Sequence, residues 1–153
     1  MADLSEDVTS EILDLNDYEV PLYSADREEA DGIPGLVQDF FAKIGAADGL
    51  IISFAEHNGV YTAAYKNVFD WASRIDVKLY QGKPSVFLAT SPGGRGGQGV
   101  LGLAESRASS FGADLRGTLS VPSFYENFDS AQGVLRDSEL SGKLSAVLSA
   151  LGA

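Results

Sequence analysis

The stretch Leu50-Ile51-Ile52-Ser53-Phe54-Ala55-Glu56-His57-Asn58-Gly59-Val60-Tyr61 decides the architecture of this chain. Its first five residues are apolar except for Ser53, as suits a strand covered on both faces. The run stops in a polar turn that holds Asn58 and Gly59, then passes to Tyr61, Tyr65, Val68 and Trp71 at helical spacing. A strand followed by a polar turn and a helix sets backbone donors and polar side chains at the carboxyl end of a sheet. That edge is where open α/β sheets bind ligands.

Working outward, residues 49–55 and 85–91 read as the two central strands, both rich in Ile, Val, Phe and Leu without polar alternation. A helix is predicted over 61–74 between them, another over 100–111 that stops at Gly112, and a last strand over 113–121. This alternation implies parallel pairing. Upstream, Pro34 is placed like a first-turn proline, and Leu36, Val37, Phe40, Phe41 and Ile44 recur at helical spacing before Gly45, the expected stop. Downstream, Leu140, Leu144, Val147, Leu148 and Leu151 form one stripe, with Asp137 or Ser138 as N-cap. Residues 8–15 read as an edge strand with Thr9, Glu11 and Asp14 on its polar face, before Asn16-Asp17-Tyr18 turns the chain.

At 153 residues the chain is expected to be one domain over 1–153, a size that buries about two thirds of its unfolded surface. Eleven basic against 22 acidic residues give a net charge of -11, and no Lys/Arg cluster interrupts the acidity. Nucleic acid and anionic membrane are therefore disfavoured as partners. The absence of cysteine removes disulfides, thiolate metal sites and thiol nucleophiles, and fits a reducing compartment. His57 is the one imidazole, so His-rich metal sites and triads built on a second histidine are excluded. Residues 1–11 are acidic and lack the apolar core of a signal peptide, and no segment approaches the ~20 apolar residues of a membrane span. The chain is read as cytoplasmic.

Glu56, Asn58, Gly59, Lys66, Asn67, Asp70, Trp71, Ser73 and Arg74 fall on a pattern of Pro-Glu-Tyr-Asn-Gly-Ser, then Lys-Asn, Asp-Trp and Ser-Arg. On these residues the chain resembles the NADPH-dependent FMN reductase family of flavodoxin-like proteins. Ala55, His57 and Val60 stand where that family has proline, tyrosine and serine. The acidic, proline-containing run from Asp14 to Tyr23 resembles the family too, less specifically. The resemblance implies an α/β, flavodoxin-like three-layer sandwich with a mostly parallel sheet. It implies an oxidoreductase with FMN as cofactor and NAD(P)H as co-substrate, passing hydride to a quinone, free flavin or similar small-molecule acceptor. It also implies a homodimer or homotetramer, with the 61–74 helix as an interface. On this reading Glu56, His57, Asn58 and Gly59 hold the flavin ring edge, and Ser91, Pro92, Gly93, Gly94, Arg95 and Gly96 wall its other side.

The second loop has rival readings. Gly94, Gly96 and Gly99 spell a literal G-x-G-x-x-G, but a dinucleotide site expects an acidic residue at the end of the next strand, and Asp114 opens that strand. The flavin wall that the resemblance implies fits the loop better, and a plain glycine connection stands beside both. Elsewhere, Tyr61, Tyr65, Val68 and Trp71 could be core or subunit interface, and Asp70 and Arg74 could simply pair at i,i+4. His57 could stack beside a flavin or hydrogen-bond within the loop, and Glu56 could be a solvated turn residue.

Nothing before Asp14 matches the Gly-Ser-x-Arg-x-x-Ser-x-Asn loop with which the family cradles the FMN phosphate. The first strand-helix unit is therefore expected to be absent. In the order 2-1-3-4-5 its strand would lie between 8–15 and 50–54. Either those strands pair directly, the 8–15 strand detaches, another chain fills the gap, or the sequence is a fragment. Met1-Ala2-Asp3-Leu4 would suit the end of a first helix, which favours a fragment or shortened start. Losing three charge-assisted phosphate contacts would remove about 4 to 9 kcal/mol. The alternative function is accordingly a non-catalytic flavodoxin-like fragment or interaction module that cannot hold FMN alone.

Overall fold

Ser85, Val86 and Phe87 are fully buried in strand β4 (Pro84–Thr90), so this segment must be covered on both faces. The computed structural model describes residues 8–152. Strands β1 (Leu50–Phe54) and β5 (Asp114–Val121) flank β4 in parallel, in the order β1-β4-β5. The helices are α1 (Ala25–Asp31), α2 (Gly35–Ala46), α3 (Ala63–Ala72), α4 (Gln98–Arg107), α5 (Phe124–Asn127) and α6 (Ser138–Ser149). Two small antiparallel hairpins, β2 (Glu56–His57) with β3 (Val60–Tyr61) and β6 (Phe128–Asp129) with β7 (Val134–Leu135), complete the chain.

The register sorts the side chains into two faces. Phe54, Phe87 and Ala89 pack with Val37 and Ile44 of α2, Trp71 and Ala72 of α3, and Val100, Leu101 and Ala104 of α4. Val86 and Gly117 lie on the opposite face, where α6 covers β5. Gly117 permits that approach, since a Cβ there would lie 3.1 Å from Val147 Cγ1. The result is the expected three-layer α/β sandwich. Ile51 shares the α6 face through its pairing with Val86, yet remains 44 % exposed. Among the described residues, β1 has a strand partner on one side only.

The strand expected over 8–15 does not form. Residues 8–14 carry no regular secondary structure, and Leu15–Tyr18 is a 3-10 turn. Asp14 dictates this, because its carboxylate accepts from the Asn16 backbone N–H at 2.9 Å and closes a local turn in place of a ladder. Direct pairing of 8–15 with 50–54 is excluded with it, and the segment lies apart from the sheet. The expectations for Met1 to Leu4 lie outside the described residues, as do those for residues 5–7.

Other bounds shift for local reasons. The 61–74 helix is α3, shortened because Val60–Tyr61 is a strand and the Thr62 hydroxyl caps the Tyr65 N–H. Pro34 is the N-cap of α2 and not its first-turn residue, and Gly45 lies inside that helix, which runs to Ala46. The 100–111 helix is α4 followed by a 3-10 turn, Ser109–Phe111, that ends at Gly112 with φ +78°. Asp137 caps α6 as expected, accepting from Glu139 and Leu140 N–H. Asp70 pairs with Lys66, and Arg74 pairs with Glu28 of α1, so the anticipated Asp70–Arg74 pair is replaced. Asn67 and Trp71 instead pin the incoming chain: Trp71 Nε1 donates to Pro21 O at 2.7 Å, and Asn67 Oδ1 accepts from Tyr23 N–H at 2.9 Å.

The core is aromatic. Phe54 meets Tyr61, Tyr65 and Phe87, and the Tyr65 and Tyr80 hydroxyls sit 2.5 Å apart among these rings. Burial pushes the Tyr80 hydroxyl up to about 12 and the Tyr65 hydroxyl well above its ordinary value. Both phenols are thus held neutral in the fold while the unfolded chain ionises near pH 10. The Tyr80 contribution is fully present below pH 10 and is lost as pH rises through about 12. Urea denaturation at stepped pH is expected to show stability falling above pH 10, with a shallower fall in Tyr80→Phe. An identical pH dependence in that variant would contradict the buried-phenol account.

Candidate functional site

Parallel pairing brings the carboxyl ends of β1, β4 and β5 to one edge, and the segment after each strand meets its neighbours there. After β1 comes the β2–β3 hairpin, with Glu56 opposite Tyr61 and His57 opposite Val60. Asn58 and Gly59 turn the chain with φ +53° and +83°, the conformation that two-residue hairpins demand. His57, Asn58 and Gly59 are exposed, whereas Glu56 is half-buried. The Glu56 Oε2 accepts from the Val100 backbone N–H at 2.8 Å. This carboxylate meets one of the unsatisfied amides in the first turn of α4, where the helix dipole also favours negative charge.

After β4, residues 91–97 split into two halves. Pro92, Gly93, Gly94 and Arg95 are exposed and Ser91 is half-buried, but Gly96 and Gly97 are buried. Gly96 is fixed by close approach, since a Cβ there would lie 2.4 Å from Ser120 Oγ and 2.8 Å from Pro122 N. Ser120 Oγ donates to Gly96 O at 3.0 Å, and Thr90 Oγ1 donates to Val121 O at 2.7 Å. The packed half is thereby bolted to β5. No Cβ added at Gly59, Gly93 or Gly94 would find an atom within 4 Å, so a flat ring can lie against this backbone.

The segment after β5 was not anticipated from the sequence. Ser123 N–H donates to Gly93 O and Phe124 N–H to Ser91 O, each at 3.0 Å, so α5 is hung from the diglycine turn. Ser123 adopts φ +47° without being glycine, which is why no turn signal marked it. Pro122 closing a strand before an aromatic pair was the available clue. The dinucleotide reading of Gly94, Gly96 and Gly99 loses its acidic partner here. Asp114 opens β5 and bonds Arg116, and at roughly 3.3 Å per residue the strand sets it about 20 Å from the loop. Gly99 serves packing: its Cβ would lie 2.6 Å from Glu56 Oε2.

A family model described as NADPH-dependent FMN reductase matches residues 1–126. The chain belongs to that family. It is 33 % identical over 141 residues to an NAD(P)H:quinone oxidoreductase of Solanum tuberosum, covering 88 % of this chain and 70 % of the relative. A quinone reductase of Escherichia coli K12 is 35 % identical over 79 residues, covering 52 % of this chain and 42 % of the relative. The chain thus spans less than half the length of that bacterial relative. Among solved structures, FerB, a flavoenzyme NAD(P)H:(acceptor) oxidoreductase from Paracoccus denitrificans, superposes with a TM-score of 0.67 at 25 % identity, covering 90 % of this chain and 78 % of FerB. The family and this neighbour agree with the flavodoxin-like reading and with FMN and NAD(P)H as the cofactor and co-substrate.

The Glu56 carboxylate is the fastening between hairpin and helix, so its removal tests how the site is held. Glu56→Ala is expected to leave the global fold intact by circular dichroism while lowering stability by about 1.5 to 3 kcal/mol, the range for a charge-assisted bond. Hydrogen exchange at the Val100 amide should accelerate by at least about tenfold. Unchanged exchange there would remove the tether.

Proposed function

We propose that this chain is an FMN-dependent NAD(P)H oxidoreductase that reduces a quinone, free flavin or similar small acceptor. The observation that carries this reading is the pair of open backbone turns, Asn58-Gly59 and Gly93-Gly94, at the ends of neighbouring strands. Bound FMN would supply two-electron transfer, so that NAD(P)H, a proton and a quinone yield NAD(P)+ and a hydroquinone. The protein's part is to bind, orient and exclude water.

Asn58 and Gly59, with His57 beside them, hold the ring edge through backbone and side-chain polar groups. Glu56 fixes that turn against α4. Ser91, Pro92, Gly93 and Gly94 supply the opposite wall, with Gly96 bonded beneath it. Arg95, exposed on this loop, is the single Lys or Arg among residues 55–61, 91–97 and 122–127, and offers an anionic ligand its one local cation in a chain of charge -11. Residues 1–153 act as one domain on this reading.

The protein works as a homodimer, by our reading, through the α3–α4 side. A cavity of about 370 Å³ opens there, lined by Val60, Tyr61, Tyr65, Phe69, Leu103 and Phe111 together with Lys66 and Arg107. Val60 is 50 % exposed at its rim, and aromatic, apolar patches of this kind are the cores of subunit interfaces. No helix among the described residues is long and apolar enough to cross a membrane, and the acidic, cysteine-free composition supports a cytoplasmic setting.

Titration with FMN, followed by quenching of flavin fluorescence, is expected to give a yellow complex that survives desalting and oxidises NADPH when a benzoquinone is added. Sedimentation equilibrium of the same sample should give the dimer mass, shifted toward monomer in Val60→Arg. No flavin binding up to high micromolar FMN would overturn the flavoenzyme reading and leave a non-catalytic interaction module.

A further inference from the structure

Tyr125 is the one exposed Phe, Tyr or Trp side chain among the described residues, 73 % exposed where the others are buried or half-buried. A single exposed ring on a mobile surface loop would need no explanation. Tyr125, however, stands on a segment held at several points. Just before it, Ser123 N–H and Phe124 N–H are tied to Gly93 O and Ser91 O. Just after it, Asn127 Nδ2 donates to Pro122 O at 2.8 Å, and Arg136 N–H donates to Asn127 O at 2.8 Å. Phe124 stacks on Phe128 with ring centroids 5.0 Å apart, and Tyr125 meets Phe124 edge-on at 5.5 Å. The segment accepts a left-handed Ser123 to reach this position.

Tyr125 follows directly on Ser123 and Phe124, whose backbone N–H groups bond Gly93 O and Ser91 O, so its exposed aromatic edge and face stand on the segment hung from the diglycine turn. Its neighbours in that turn can offer a ligand backbone only, whereas Tyr125 can offer a π-face and a hydroxyl donor. We propose that Tyr125 is the acceptor-recognition residue, stacking on the planar ring of a quinone-type acceptor where it enters beside the diglycine turn. The proposal rests on the flavoenzyme reading and names its substrate class. It accounts for a ring held in water at a cost in burial, and it calls for a planar aromatic acceptor, since an aliphatic one would gain little from the stack.

The test compares wild type, Tyr125→Ala and Tyr125→Phe, each loaded with FMN. Three quantities are read: the FMN Kd from flavin fluorescence, the Kd of 2-naphthol as a redox-inert planar probe, and the KM and kcat for 1,4-naphthoquinone with NADPH. Tyr125→Ala is expected to hold FMN within about twofold of wild type while weakening 2-naphthol about tenfold. Its naphthoquinone KM should rise to a similar degree, with the loss falling on KM more than on kcat. Tyr125→Phe, which keeps the ring, should restore both. Wild-type probe affinity and KM in Tyr125→Ala would overturn the assignment while leaving the flavoenzyme reading intact. A shift of Tyr125→Ala toward monomer in sedimentation, with KM unchanged, would make the ring a subunit contact and overturn it equally. Failure of wild type to bind FMN would defeat the flavoenzyme reading itself, and the proposal with it.

Discussion

Strand β4 has no wet face, and that constraint organises the rest of the molecule. Ser85, Val86 and Phe87 are excluded from water, so helices must lie on both sides and a strand along each edge. Covering both faces requires crossover connections through helices, and such connections make the sheet parallel. Parallel strands end at the same edge. The three segments that follow β1, β4 and β5 therefore converge, although they are far apart in sequence. The candidate site is a consequence of how the core had to be buried.

Within that edge the structure separates what is packed from what is left open. Gly96 and Gly99 are small because Ser120, Pro122 and the Glu56 carboxylate occupy the space a side chain would need. Gly93 and Gly94 face no such neighbour, and their backbone is free to meet a ligand. The loop is rigid in one half and accessible in the other, and its position is fixed through bonds to β5 and to α5. A single glycine-rich string thus does two jobs, and the string alone does not say which glycine does which.

The electrostatics point the same way. With a net charge of -11 the protein repels anions in general, yet the three site segments carry one cation, Arg95, and a hairpin whose one carboxylate is already satisfied by an α4 amide. Binding in such a place relies on flat apolar contact and backbone hydrogen bonds more than on charge. This suits a planar, weakly charged ring system and a planar acceptor, and it is the setting in which an exposed tyrosine edge becomes useful.

Apolar runs without alternation made β1, β4 and β5 legible, and helical periodicity did the same for α2, α3, α4 and α6, because burial leaves a direct imprint on which residues are apolar. The Glu56-His57-Asn58-Gly59 turn and the Ser91-to-Gly96 loop were legible as site candidates for the same reason, being the polar and glycine-rich breaks in those runs. Residues 8–15 misled because polar alternation resembles an edge strand, while the Asp14 carboxylate settles the matter through a local turn. What the sequence by itself determined was the three strands of the main sheet, their parallel sense, the helices α2, α3, α4 and α6, and the family to which the chain belongs. Only the tertiary structure decided that Glu56 reaches Val100, that Arg74 pairs with Glu28 in place of Asp70, and that Ser123 hangs α5 and Tyr125 beside the diglycine turn. Those contacts join residues tens of positions apart, and a local pattern of polarity holds no record of which distant partner folding will bring within hydrogen-bond reach.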